Sequence, residues 1–293
     1  MSTNQDTNSN TMLSRDAEPV HPVDRLVFVD ILRGFAVFGI LVANMGHFSG
    51  QMGLESYTRF IDKAVLIAIM FFVQAKFYSL FSLLFGWGLA VQLNRAKLKG
   101  INIVPVYIRR LLILLCFGVI HAIFIWSGDI LVTYALLGFL LILFRNCSGK
   151  NLIILVGLFL LFSMVITLPG ELMVSFRAWY AELTSDLRYE IYPLSLYKTG
   201  DYLVITKLRL QDYLNGSSWL IYPFGNIFAM FLLGLFIGKK RIFHNISRHI
   251  RLLVLVCVIG LTVGVLFNSF FVCATLNPEL GGAYNRFLTK SAR

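Results

Sequence analysis

Apolar residues in this chain are gathered into runs long enough to cross a bilayer, separated by short polar or basic segments. Residues 109–144 show the pattern best. Arg109 and Arg110 open the stretch, Trp126-Ser127-Gly128-Asp129 makes a tight polar corner, and apolar runs over about residues 106–126 and 129–144 flank that corner. The pattern predicts a membrane hairpin. His121 lies inside its first arm, and an ionisable side chain at membrane depth costs roughly 2.5–3.5 kcal/mol on insertion scales. His121 is therefore either a functional residue facing Asp129 or a histidine packed between helices and hydrogen-bonded to a neighbour.

The same reading along the chain gives an all-α, polytopic transmembrane bundle of about seven spans, with an interfacial helix and one long extracytoplasmic amphipathic loop. Residues 1–24 are polar, lack an apolar signal segment and read as a disordered cytoplasmic tail. The transmembrane domain covers residues 25–273, and residues 274–293 are a polar tail. In the first span, about residues 26–48, Asp30 and Arg33 are three apart and share a helix face. Asn44 falls about 20° from Arg33 on the helix wheel and about 16 Å further along, which makes that face polar from end to end. Asp30 and Arg33 either line an internal polar face or fix the helix end at the interface.

Residues 64–93 are too long for one straight span, since thirty helical residues reach about 45 Å against a hydrocarbon core of about 30 Å. The polar break at Gln74-Ala75-Lys76 predicts an interfacial helix over about residues 60–73 and a true span over about 76–93, with Lys76 at its mouth or snorkelling to headgroups. Further spans follow at about 151–168, 219–238 and 252–272. The hydrophilic stretch at about 170–218, including RAWYAELTSDLRYEIY, reads as the amphipathic loop. Gly234-xxx-Gly238 and Gly260-xxx-Gly264 are small-residue pairs that permit close helix approach.

Composition agrees: 57% of residues are hydrophobic and 14% charged, with a mean hydropathy of +0.74. An ordinary soluble domain is excluded. The net charge of +11 comes from short basic clusters between apolar runs, which the positive-inside rule accounts for, so nucleic acid is not a partner. With the N-terminus in the cytoplasm, the cytoplasmic segments carry fourteen basic residues and the two short outer loops only Arg59 and Lys63. That orientation puts Asn44, Lys76, His121 and Asp129 in the outer half of the membrane and Asp30 and Arg33 in the inner half. Cys116, Cys147, Cys257 and Cys273 have no paired spacing and form neither a zinc site nor a disulfide framework; no metal is expected. There is no nucleophile elbow, zinc-protease motif or phosphate-binding glycine loop. A histidine titrating near pH 6.5 suits a general base, with Asp129 to orient it, and the same residues suit a proton or ion relay in a transporter; a non-catalytic membrane subunit would need neither. Asp129 and Tyr134 lie about 140° apart on a helix wheel, so both face a narrow cavity only if the helix start is irregular.

The runs VDILRGFAVFGILVAN, KFYSLFSLLFGWGLAVQL, RRLLILLCFGVIHAIFIWSGDILVTYALLGFLL and FAMFLLGLFIGKKRIF together resemble the YeiB-like family of bacterial membrane proteins, over about residues 24–271. The opening motif is similar to that of the transmembrane acyltransferase superfamily, which includes the heparan glucosaminide N-acetyltransferases. The resemblance implies an inner-membrane protein that takes an acyl group from a cytoplasmic donor such as acyl-CoA and passes it to a glycan or envelope acceptor outside, with no bound cofactor. Some YeiB-like members are described in transport, which keeps a transporter of a small polar substrate open. The motif positions that carry over are Asp30, Arg33, Asn44, Lys76, His121, Trp126, Gly128, Asp129 and Tyr134. The outward-facing site expected from them has His121 and Asp129 as catalytic residues and Asn44, Lys76 and Tyr134, with Asp30 and Arg33, as substrate-binding residues. The family usually continues beyond the seventh span with a Gly-Arg-Met-Ala-Leu-Thr-Asn-Tyr type segment, so the resemblance implies a truncated member. The surroundings of His47 do not match the acetyltransferase histidine, and that role is not assigned to it.

Overall fold

The computed structural model describes residues 27–49, 57–167, 200–215, 218–244 and 246–276, and within them every regular element is helical. The elements are α1 (Val27–Ser49), α2 (Phe60–Phe72), α3 (Lys76–Lys99), α4 (Val104–Ile120), α5 (Leu131–Leu143), α6 (Gly149–Thr167), α7 (Tyr202–Asn215), α8 (Ser218–Lys239) and α9 (Ile246–Leu276). A π turn, His121–Ile125, continues α4, and 3-10 turns Phe144–Asn146 and Ile242–His244 follow α5 and α8. The N-terminal tail, the stretch RAWYAELTSDLRYEIY and most of the C-terminal tail lie outside the described residues.

Among the described residues, four stretches are long and apolar enough to cross a membrane: Val27–Gly46, Phe60–Lys99, Val104–Ile125 and Ile246–Phe270. Leu131–Asn146, Gly149–Met164 and Phe224–Lys239 are shorter apolar helices. Large apolar side chains stand exposed along α1, α2, α4, α6 and α9. An apolar exterior on this scale is a surface for lipid, and the chain is a membrane protein.

The second stretch is not one helix. α2 ends at Phe72, Val73 and Gln74 both donate their N–H groups to the Ile69 carbonyl, and Ala75 turns left-handed at φ 66° before Lys76 starts α3. A left-handed alanine costs roughly 1–2 kcal/mol, so packing around the break must hold it. Phe35 and Gly39 of α1 meet Phe77 of α3, whereas Arg33 meets Trp87 and Gly88. Rising numbers on α1 against falling numbers on α3 make those two helices antiparallel. The chain therefore does not reverse direction between α1 and α3 a second time, although α2 lies between them.

The core forms where α3 and α8 run parallel in direct backbone contact. A Cβ at Gly86 would lie 1.9 Å from the Phe231 carbonyl oxygen, and one at Gly234 would lie 2.0 Å from that of Leu83. A Cβ at Gly238 would meet the Ala90 Cβ at 2.4 Å. Of the two predicted small-residue pairs, Gly234 and Gly238 thus pack a helix, while Gly260 and Gly264 on α9 have nothing within 4 Å of an added Cβ. Around the α3–α8 seam, Phe85 stacks on Phe231 at 4.6 Å and the Tyr134 ring stands edge-on to both. Leu141 of α5, Leu152 of α6 and Phe228, Leu232 and Leu235 of α8 complete a fully buried layer.

Asp30 and Arg33 pair on α1 at 2.9 Å, with Arg33 also over the Trp87 ring at 5.8 Å. Their side chains are 49% and 39% exposed, so the large penalty for breaking a buried ion pair does not apply. At the interfacial end of α1, within reach of water and headgroups, a pair this open is worth about 0–1 kcal/mol. Asp30→Asn and Arg33→Gln, singly or together, should each leave the melting temperature of the detergent-purified protein within a few degrees of the parent. Unfolding of one single variant that the double variant repairs would contradict this.

Candidate functional site

His121 and Asp129 are brought together by a glycine. Gly118 and His121 are three residues apart and so share a face of the helix. At Gly118 an added Cβ would lie 2.7 Å from the Val132 nitrogen, so the α4 backbone sits directly against the first turn of α5. One turn further on, His121 reaches the residue that caps that turn. Asp129 Oδ2 accepts the Val132 N–H at 2.8 Å, satisfying one of the otherwise unpaired donors at the start of α5. Asp129 Oδ1 faces His121 Nδ1 at 2.9 Å.

Burial differs between the two partners. The Asp129 side chain is wholly enclosed, and that of His121 is 31% exposed. An ionised carboxylate only accepts hydrogen bonds, so an uncharged imidazole facing one carries its proton on Nδ1 and keeps the Nε2 lone pair. The geometry is that of a base held and oriented by a buried acid.

The corner itself is built to hold this pair. The Trp126 N–H reaches back to the His121 carbonyl at 2.8 Å, the wide spacing of a π turn, a form often found at functional sites. Trp126 stands edge-on to the His121 ring at 6.5 Å, in space left by the missing side chain of Gly128, where a Cβ would lie 2.3 Å from the indole. The Phe124 carbonyl is taken up by α7, which donates from the Tyr202 hydroxyl at 3.2 Å and from Arg209 Nη1. Tyr213, on the same helix, is half-buried; burial pushes its phenol above the ordinary range, and the nearby Asp129 charge pushes the same way.

The other expected site residues have partners elsewhere. Tyr134 is 1% exposed, shares a 2.6 Å hydrogen bond with Ser82 and donates to the Tyr78 carbonyl. Tyr134 thus lies in the core, whereas Asp129 precedes the helix at the corner. Lys76 donates to Asn268 Oδ1 on α9 and to the Met70 carbonyl. Asn44 Nδ2 donates to the Ile40 carbonyl of its own helix. Asp30 and Arg33 pair with each other as described. Within the proposed set the described contacts join His121 to Asp129 and Asp30 to Arg33, and no described bond links the dyad to Asn44, Lys76, Tyr134 or the Asp30–Arg33 pair.

Sequence reasoning did not single out Tyr202, Arg209 and Tyr213, nor the internal polar chain in which Asn226 donates to both the Tyr78 hydroxyl and Ser79 Oγ. A signal was available for the latter. Asn226 is an amide inside an apolar run, and α3 opens with two hydroxyl side chains in succession, Tyr78 and Ser79.

No family model matches the chain, and no solved structure matches it. Over 271 residues, 85% of its length, it is 38% identical to "Uncharacterized protein YxaH" of Bacillus subtilis, and the match covers 66% of that protein. It is 34% identical over 134 residues to "Uncharacterized 39.9 kDa protein in amylase 3'region" of Bacillus acidopullulyticus, covering 45% of this chain and 38% of the relative. It is also 34% identical over 122 residues to "Uncharacterized protein YeiB" of Escherichia coli, covering 40% of this chain and 30% of the relative.

Proposed function

Because the chain belongs to the YeiB-like family of bacterial membrane proteins, we propose that it is a seven-span inner-membrane acyltransferase with its N-terminus in the cytoplasm and its working dyad, His121 and Asp129, at the outer face. The span count is supported by the antiparallel run of α1 and α3, which leaves α2 as an interfacial segment. The orientation is supported by the charge asymmetry of the short loops. With that orientation the hairpin corner and α7 lie on the extracytoplasmic side.

One observation carries the chemistry: Asp129 spends one oxygen on the helix cap and the other on His121 Nδ1, which leaves Nε2 as the base. In this reading His121 Nε2 takes the proton from an acceptor hydroxyl or amine as that group attacks the acyl carbonyl. The acyl–sulfur bond of an acyl-CoA donor that reaches the dyad from the cytoplasmic side breaks, the thiolate takes the proton back from the imidazolium, and the free thiol withdraws to the cytoplasm. The imidazolium formed is stabilised by Asp129. A glycan or another envelope molecule is the acceptor. General-base catalysis of this kind is worth about 10²–10⁴-fold.

A transport reading uses His121 and Asp129 as a proton or ion relay and is favoured by a further observation, the polar groups Ser79, Asn226, Tyr78, Tyr134 and Ser82 bonded inside the bundle. The two readings separate in one experiment. Cells carrying His121→Ala at normal membrane abundance should lose envelope acylation and keep substrate uptake. Uptake lost with acylation intact favours the transporter, and retention of both removes His121 from any mechanism.

A further inference from the structure

At the opposite end of the bundle from His121, where α5 and α8 finish and α6 begins, basic side chains converge from two segments distant in sequence. Lys239 donates to the Cys147 carbonyl at 2.8 Å, and Arg145 donates to the Ile142 carbonyl at 3.1 Å. The Lys240 chain lies 3.2 Å from where a Gly149 Cβ would stand, beside Lys150. Among the described residues the ion pairs Arg33–Asp30 and His121–Asp129 include no cation of this cluster. Lys239 and Arg145 thus bond backbone carbonyls and not carboxylates.

Two features argue that more than membrane topology keeps them there. Arg241 sits at φ 52°, a left-handed position just past the end of α8 that favours glycine, yet it holds an arginine. Backbone strain retained at such a position points to a use for its side chain. Lys150 stands in the first turn of α6, the helix end with positive partial charge, where a cation is disfavoured unless an anion offsets it. Below this cluster, α6 exposes Ile153, Ile154, Leu158 and Leu161, an apolar face long enough to carry acyl chains.

We propose that Arg145, Lys150, Lys239, Lys240 and Arg241 form a binding site for the phosphate group of an anionic phospholipid, whose chains lie along α6. Basic clusters between membrane helices recognise lipid phosphate through several weak charge contacts, each screened by salt. The site is independent of the chemistry assigned to His121.

The test is a melting-temperature series on the full chain in zwitterionic detergent with added phosphatidylglycerol, phosphatidylcholine or inorganic phosphate. Phosphatidylglycerol should raise the transition by several degrees more than phosphatidylcholine, and the increment should shrink in high salt. In K150Q/K240Q the increment should fall by at least half. Arg241→Gly, which relieves the backbone, should start from a transition no lower than the parent's and still show a reduced increment. Equal gains from both lipids, an equal gain from inorganic phosphate alone, or an increment unchanged in both variants would overturn the proposal.

Discussion

Under the acyl-transfer reading proposed above, Asp129→Asn should leave the protein folded and lower acylation by about 10²–10⁴-fold. The amide oxygen of asparagine can still accept the Val132 N–H, so the cap of α5 survives. The amide NH2 then faces His121 Nδ1, which must become the acceptor, and the imidazole proton moves to Nε2. The base is turned away from its task without being removed. Asp129→Ala should do more, since losing a helix cap costs about 0.5–2 kcal/mol and His121 also loses its partner. Activity per folded molecule, measured beside the melting temperature, distinguishes the two: Asn should separate activity from stability, and Ala should lower both. An Asn variant as active as the parent would sink the dyad.

Gly234→Val should keep the protein from accumulating in the membrane. Its Cβ would fall 2.0 Å from the Leu83 carbonyl oxygen and 2.7 Å from the Trp87 nitrogen, both backbone atoms that no side-chain rotation can move aside. Overpacking a core ordinarily costs about 1–3 kcal/mol, and that range assumes neighbours able to shift. Here two helices would have to separate along the seam on which Phe231 and Phe85 stack. Gly260→Val, with nothing within 4 Å, is the matched control and should accumulate normally. Quantifying both in membranes by immunoblot checks the pair, and equal abundance would show the α3–α8 contact to be looser than described.

The contrast between those two glycines shows where the sequence was legible and where it was not. Both occur in the same spacing within apolar runs, and spacing cannot say whether another backbone comes near. By contrast, the break before Lys76 was readable, because a thirty-residue apolar run exceeds a bilayer and Gln74 is its polar interruption. Most helix starts and ends fell close to expectation for the same reason, but α3 continues to Lys99 and α9 begins at Ile246, because a helix can run on past its apolar segment. The dyad was half legible. His121 and Asp129 stood out as ionisable groups beside a membrane corner, but eight intervening residues left their contact open. What closes it is Gly118 against Val132, a tertiary approach. The partners of Tyr134 were not foreseen, because Ser82 and Tyr78 come from a helix about fifty residues earlier. The role of α7 depends on a π turn exposing the Phe124 carbonyl, and no residue pattern announces that widening.

α9 joins the rest of the molecule on different terms from α8. Its polar link to α3 is the bond from Lys76 to Asn268, and its apolar segment Ile246–Phe270 has 25 residues, none of them buried in the most hydrophobic window. At 1.5 Å per residue this segment reaches about 37 Å, longer than a hydrocarbon core of about 30 Å. Hydrophobic mismatch of that size is relieved by tilting, and the helix least restrained by neighbours tilts most readily. Membrane thickness should therefore set the angle of α9 while the α3–α8 seam stays fixed, which makes the Lys76–Asn268 contact the pivot between a rigid bundle and a helix that answers to the lipid.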